Sequence, residues 1–273
     1  MTPGTRACIG PLLLAAAAGL AATGASAQPD RMRVLSLDQC GDQYVLALAP
    51  DAALALSSRA DDPDAWLRDA ARGRRRVRGT LEAAVGFRPH VVVRYWGGEP
   101  RLLAGRAARG ARVIEIADAT DMEGIRANIR AVARGLEHPA RGEALIARMD
   151  ARLAAIPPPP ARDRAALYLT AGGFTAGTGT LIDAMFRAAG LINLAPHAGF
   201  GPMSVERIAL EPPARFILGF FDQARADARG PGRHPVVRRA ARGRTTARLP
   251  AAALTCPAWF AADAAAMMRE GGA

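Results

Sequence analysis

The chain has 273 residues, enough for two modest domains, and with 50% hydrophobic and 22% charged residues it is expected to fold. Its 36 basic residues are all arginine, set against 25 acids for a formal charge of +11. Apart from Arg74, Arg75 and Arg76 the arginines are scattered along the chain. A nucleic-acid footprint is gathered on one face, so no nucleic-acid partner is expected.

Residues 1–27 have the layout of an export signal. Arg6 supplies a positive start, Leu12 to Ala22 form an apolar core too short to span a bilayer, and Ala25-Ser26-Ala27 is a cleavage site. This predicts cleavage after Ala27 and a periplasmic, monomeric mature protein. Two cysteines, Cys40 and Cys256, then remain in an oxidising compartment.

Residues 31–138 read as a first lobe. The apolar run from Arg33 to Leu37 predicts a strand. A polar turn from Asp38 to Gln43 follows, then a helix from Tyr44 to Leu48 ended by Pro50. A second strand is expected from Ala53 to Leu56 and a helix from Pro63 to Arg72. Thr80 caps a short helix that Pro89 breaks, and His90 to Tyr95 form a buried strand running into Trp96-Gly97-Gly98-Glu99. A helix over Arg101 to Arg109 and a strand over Arg112 to Ile116 complete the alternation, which implies a parallel sheet with helices on both faces. Thr120 to Glu123 reads as a capping box opening a helix with Ile125, Ile129, Val132 and Leu136 on one face.

Residues 139–156 read as a linker of a different kind. Leu145, Ile146, Met149, Leu153 and Ile156 recur at helical spacing, Pro139 suits the first position, and Pro157 to Pro160 forbid continuation. The helix would be a rod of roughly 27 Å. It joins two α/β lobes with a cleft between them. One stiff helix lacks the strand crossovers that absorb large hinge rotations, so little lobe movement is expected.

The second lobe spans residues 161–273. A strand from Arg164 to Thr170 enters the glycine-rich loop Ala171 to Gly179, and a helix from Leu181 to Ala189 follows. Ser204 to Pro213, with its strand from Arg215 to Phe220, repeats the Thr80 to Tyr95 unit. Each has a hydroxyl cap, a glutamate two residues on (Glu82, Glu206), a proline nine residues on, and a hydrophobic strand ending in aromatics. A strand from Thr246 to Leu249, the turn Thr255 to Phe260 and a last helix close the chain.

Several chemistries are excluded. The glycine-rich loop has no lysine for a phosphate-binding loop, and Gly177-Thr178-Gly179 lacks the third glycine of a dinucleotide fingerprint. His90, His138, His197 and His234 have no metal-ligand spacing, and no G-x-S-x-G elbow is present. Pairing Cys40 with His197 as nucleophile and base has no local support. What gathers near expected strand ends is aromatic: Tyr95, Trp96, Phe174, Phe200, Phe221 and Trp259. Together they suggest a cleft that grips a large, partly apolar ligand. Thr175 in the glycine-rich turn, and Asp38, Gln39 and Cys40 past the first strand, join them as ligand-binding candidates. Cys40 and Cys256 each follow a strand, in opposite lobes, which leaves open a disulfide or two separate thiols.

The segments RVLSLDQCGDQ, LEAAVGFRPHVVV with YWGG, the single linking helix, FTAGTGTLIDAMFRAAG and MSVERIALEPPARFIL carry a resemblance. From Arg33 to about Arg269 the chain resembles the periplasmic substrate-binding proteins of ABC importers for cobalamin and ferric siderophores. The resemblance implies two Rossmann-like lobes with parallel sheets joined by a single long helix, and a ligand held between them largely by aromatics. By position these would be Tyr95 or Trp96, Phe174, Phe200 and Trp259. It further implies that Glu82 and Glu206 dock onto arginines of a permease. The expected function is capture of a metal chelate, corrinoid or siderophore-like, and its delivery to the importer, without catalysis and without a resident cofactor. The rival expectation is an exported α/β enzyme.

Overall fold

The computed structural model describes residues 1, 2, 4, 31–107, 110–224 and 229–271, with the side chains of residues 106 and 107 left aside. The expected export signal therefore lies almost wholly outside the described residues, as does the end of the helix expected to reach Arg109. Among the described residues no helix is long and apolar enough to cross a membrane.

The first sheet is built from β1 (Arg33–Ser36), β2 (Ala53–Ser57), β3 (Arg75–Val77), β4 (Val91–Arg94) and β5 (Arg112–Glu115). All pairs are parallel and the order is β3-β2-β1-β4-β5. The intervening helices are α1 (Gln39–Leu48), α2 (Arg68–Ala71), α3 (Leu81–Phe87) and α4 (Pro100–Ala107), and α5 (Met122–Gly135) follows β5. The long helix α6 (Pro139–Ala154) then leads to the second sheet. That sheet contains β6 (Ala165–Thr170), β8 (Ile192–Asn193), β10 (Phe216–Gly219) and β11 (Thr245–Leu249), in the parallel order β11-β10-β6-β8. A hairpin pairs β7 (Phe174–Ala176) with β9 (Phe200–Pro202) antiparallel. Helices α7 (Leu181–Ala188), α8 (Val205–Leu210), α9 (Pro235–Ala241) and α10 (Ala261–Glu270) complete this lobe.

Strand alternation divides the apolar residues into three clusters. Leu35 and Val92 point to one face, with Ala84, Phe87 and Leu102. Leu167, Leu169, Phe216 and Leu218 point to the outer face of the second sheet, with Ile208 and Val237. Their neighbours Val34, Val91, Val93, Tyr168 and Ile217 all join a single cluster with Ile129, Leu145, Met149, Phe186 and Phe260. The inner faces of both sheets thus share one core, and each large side chain wholly buried there contributes about 1.5–3 kcal/mol. Residues 32–273 form one compact unit as a result.

Helix α6 is held in this core from two sides. Pro139 stands in its first turn, and Leu145, Ile146 and Met149 are buried. At Gly142 an added Cβ would lie 2.6 Å from Ala133 of α5, so the glycine permits the close approach of the two helices. Arg126 pairs with Asp150 at 2.6 Å and Arg130 with Glu143 at 2.9 Å across the same contact, and Arg152 ties α6 to Glu270 of α10 at 3.0 Å.

Four local expectations are corrected. Helix α1 begins at Gln39 rather than Tyr44, because Asp38 caps it and accepts from the Gly41 amide at 2.9 Å. The helix expected from Pro63 to Arg72 shrinks to α2, since tertiary bonds claim its first half. Leu67 N donates to Gln43 Oε1 at 2.6 Å, and Trp66 stacks on Phe260. The cap of α5 is Asp121, not Thr120, and Glu123 turns to Arg126 instead of back to the cap. The glycine-rich loop contains strand β7. Strands β3 and β8 and helix α9 had no sequence expectation, being too short or too polar to show a period.

Asp42 joins α1 to the first sheet, accepting from the Ser57 amide at 2.9 Å and the Ser57 hydroxyl at 2.5 Å. Burial outweighs these bonds and raises its pKa from 3.8 to about 6. A raised carboxyl pKa means that the folded state holds a proton the unfolded state releases between pH 4 and 6. This contribution is present at the acid end and is lost as pH rises. The stability of the wild type minus that of Asp42→Asn should therefore fall between pH 4 and 6, by up to about 3 kcal/mol. Chemical denaturation across that range measures it, and a constant difference contradicts it.

Candidate functional site between the lobes

In open parallel sheets ligands bind beyond the carboxyl ends of the strands. Tyr95 follows β4, Asp118 follows β5, Phe220 follows β10, and Leu254 to Pro257 follow β11. All of them line one cavity of about 390 Å³, together with Thr120, Gly179 to Ile182, Met185 and Phe200. Both lobes contribute, and the lining is mostly apolar.

One carboxylate sets the first-lobe wall. Asp38 Oδ1 caps α1, and its Oδ2 accepts from the amides of Tyr95 at 2.7 Å, Trp96 at 3.1 Å and Gly97 at 2.8 Å. The turn after β4 is thereby tied to the start of α1. Position 97 must be glycine for this approach, since a Cβ there would meet the Leu37 carbonyl at 2.6 Å. Asn128 holds the neighbouring wall, bonding both the amide and the carbonyl of Ala117 at 3.0 and 2.8 Å. Beside it, the Tyr95 hydroxyl donates to Asp118 Oδ1. Burial first, and then this hydrogen bond, push the Tyr95 pKa up to about 12. At neutral pH Tyr95 is therefore an uncharged phenol.

The floor is a joint between the lobes. Cys40 and Cys256 are disulfide-bonded with Cα atoms 5.4 Å apart. The Tyr44 hydroxyl donates to the Pro257 carbonyl at 2.7 Å. Tyr44 also meets Trp259 edge-on at 5.7 Å, and Trp66 stacks on Phe260 at 5.1 Å. The segment from Thr255 to Phe260 in the second lobe is thus clamped onto α1 of the first.

The structure distributes the sequence candidates unevenly. Tyr95 and Phe200 line the cavity. Trp96 and Phe174 are 57% and 50% exposed and lie outside its lining. Trp259 belongs to the joint, Cys40 to the disulfide, and Asp38 to the turn after β4. Gln39 and Thr175 are buried, and Gln39 Nε2 and Thr175 Oγ1 have no partner among the described residues. Phe221 faces the flank of the second lobe, under the Arg233 guanidinium at 5.1 Å. Its neighbour Phe220, at φ 60°, takes the cavity position instead. Asp118 and Phe220 were missed by sequence reasoning. Asp118 could have been found as a polar residue just past a strand, but the reversal at Phe220 has no sequence signal.

Glu82 and Glu206 occupy equivalent places in the first turns of α3 and α8, and both are exposed. Thr80 and Ser204 cap these helices, accepting from Ala83 N at 3.4 Å and Arg207 N at 3.0 Å. The Ser204 hydroxyl donates to Glu206 at 2.8 Å and holds its carboxyl below the usual range. Among the described residues no three His, Cys, Asp or Glu side chains gather as a metal site.

Two parallel sheets sharing one core, bridged by one helix, with an apolar cavity at their strand ends, define a two-lobed ligand-binding protein. The chain belongs to the periplasmic binding protein family, whose sequence model matches residues 36–219. No curated protein matches the chain. Solved structures share its fold. The periplasmic heme-binding protein BhuT is 24% identical over 87% of this chain and 96% of its own, with a TM-score of 0.65. The periplasmic heme-binding protein HutB of Vibrio cholerae is 16% identical over 88% and 98%, with a TM-score of 0.67. The vitamin B12-binding protein BtuF of Vibrio cholerae is 18% identical over 88% and 96%, with a TM-score of 0.56.

The joint has a direct chemical test. Denatured, unreduced protein should show no free thiol. Replacing both cysteines with serine should cost about 2–5 kcal/mol, because the bridge closes a loop across a separation of 216 residues. Two titratable thiols in the unreduced protein would contradict the bond.

Proposed function

We propose that the protein is exported, is cleaved after Ala27, and works as a periplasmic monomer. It captures a metal chelate with a large, partly apolar surface, a heme, corrinoid or ferric siderophore, and delivers it to an ABC permease. The observation that carries this reading is the interlobe cavity, walled by Tyr95 from one lobe and Phe200 and Phe220 from the other. Flat aromatic surfaces fit the faces of such ligands, and the Tyr95–Asp118 pair offers a polar anchor. The heme-binding and vitamin B12-binding proteins that share the fold support the ligand class. Trp96 and Phe174 are exposed and lie outside the cavity lining. The shared core and the covalent joint favour small lobe movement.

Titration with haemin, cobalamin and a set of ferric siderophores, followed by absorbance, tests this. One chelate should form a 1:1 complex without being turned over. Tyr95→Phe and Phe200→Ala should each weaken it about tenfold, in line with the loss of a hydrogen bond or of aromatic contact. Scattering curves with and without that chelate should nearly superimpose. Binding of no chelate in the micromolar range, or chemical conversion of the bound one, refutes the reading.

Glu82 and Glu206 serve as two docking points, one per lobe, for arginines of the permease. The helix dipole accounts for either acid alone, at about 0.3–1 kcal/mol. It does not account for matched placement on a chain of charge +11. Changing both to Gln should leave folding and chelate affinity intact and sharply reduce uptake, with each single change intermediate. Normal transport by the double variant would leave only the dipole role.

A further inference from the structure

A second concavity, of about 570 Å³, lies on the flank of the second lobe, away from the interlobe cavity. Leu218, Val237 and Ala241, all buried, belong to its apolar lining. Arg233, Arg238, Arg242 and Arg248 line it as well. A smaller concavity of about 460 Å³ continues it, sharing Leu218, Phe221 and Arg248.

Local structure explains the convergence. Arg238 and Arg242 stand four residues apart on and just past α9, and so project from one side of it. Arg248 comes from β11, the edge strand of its sheet. Arg233 is held against the wall, its guanidinium over the Phe221 ring and its Nη2 donating to the Phe221 carbonyl at 2.6 Å. Its Nε is buried without an acceptor among the described residues.

Some arginines elsewhere are paired with acids, as Arg126 is with Asp150 and Arg152 with Glu270. Among the described residues Arg238, Arg242 and Arg248 have no carboxylate partner. Asp222 lines the smaller concavity and keeps its charge, but its Oδ1 accepts from the Ala251 amide at 2.9 Å rather than from an arginine. Guanidinium groups recognise carboxylate and phosphate oxygens in pairs, and a concave wall with apolar backing strengthens their field.

We infer that this concavity is a second binding site, for a soluble small molecule bearing two or more oxyanion groups, a phosphate ester or a polycarboxylate. Its charged groups meet Arg238, Arg242 and Arg248, and its remaining surface lies against Leu218 and Val237. This site is independent of the interlobe cavity.

Calorimetry with inorganic pyrophosphate and with citrate, at a salt concentration of about 150 mM to screen diffuse attraction, tests it. At least one probe should bind with a stoichiometry of one and a dissociation constant below about 1 mM. The triple variant Arg238→Gln, Arg242→Gln, Arg248→Gln should bind it at least about tenfold more weakly, with an unchanged thermal midpoint. A control variant, Arg101→Gln, Arg134→Gln, Arg148→Gln, removes the same charge from other surfaces and should bind as the wild type does. The inference is overturned if neither probe binds, if the first variant binds normally, or if both variants lose binding equally.

Discussion

The structure depends on the clamp of Thr255 to Phe260 onto α1. Through it α1 meets the second lobe across a disulfide, a buried tyrosine hydrogen bond and the edge-on Tyr44–Trp259 contact, while Trp66 of the first lobe stacks on Phe260. The start of α1 carries Asp38, whose carboxylate collects four backbone amides and so positions Tyr95. Lobe joint and cavity wall are therefore one assembly.

The two lobes repeat a unit but do not use it identically. Thr80 and Ser204 cap equivalent helices, and the strands after them, β4 and β10, are interior strands of their sheets. Past those strands the lobes diverge. The first turns through Tyr95 to Gly97 and is held by Asp38. The second reverses at Phe220, whose positive φ sends adjacent aromatics to opposite sides. The repeated unit thus places the two glutamates alike, while the lobes differ at the strand ends that follow it.

Arginine serves several purposes in this chain, and burial and partners distinguish them. Paired with acids along α5, α6 and α10, it ties helices together on the surface, where each such pair contributes little by itself. On the flank of the second lobe Arg238, Arg242 and Arg248 have no carboxylate partner among the described residues and line a concavity. The overall charge of +11 does not distinguish these uses.

Much of the fold was legible because its signals are local. The period of α6, the proline that starts it, the hydroxyl caps of α3 and α8, and the apolar strands β1, β4, β6 and β10 each follow from neighbouring residues and appear where expected. The place of Tyr95 was legible too, because a residue past a strand end is placed by the strand. Tertiary structure alone decided the rest. Whether Cys40 meets Cys256, whether Trp259 faces ligand or the other lobe, and whether Phe220 or Phe221 enters the cavity depend on how residues more than 200 positions apart, or a single backbone angle, come to lie. Spacing in sequence carries no record of those distances, since they are set by the shared core that forms only when both sheets pack.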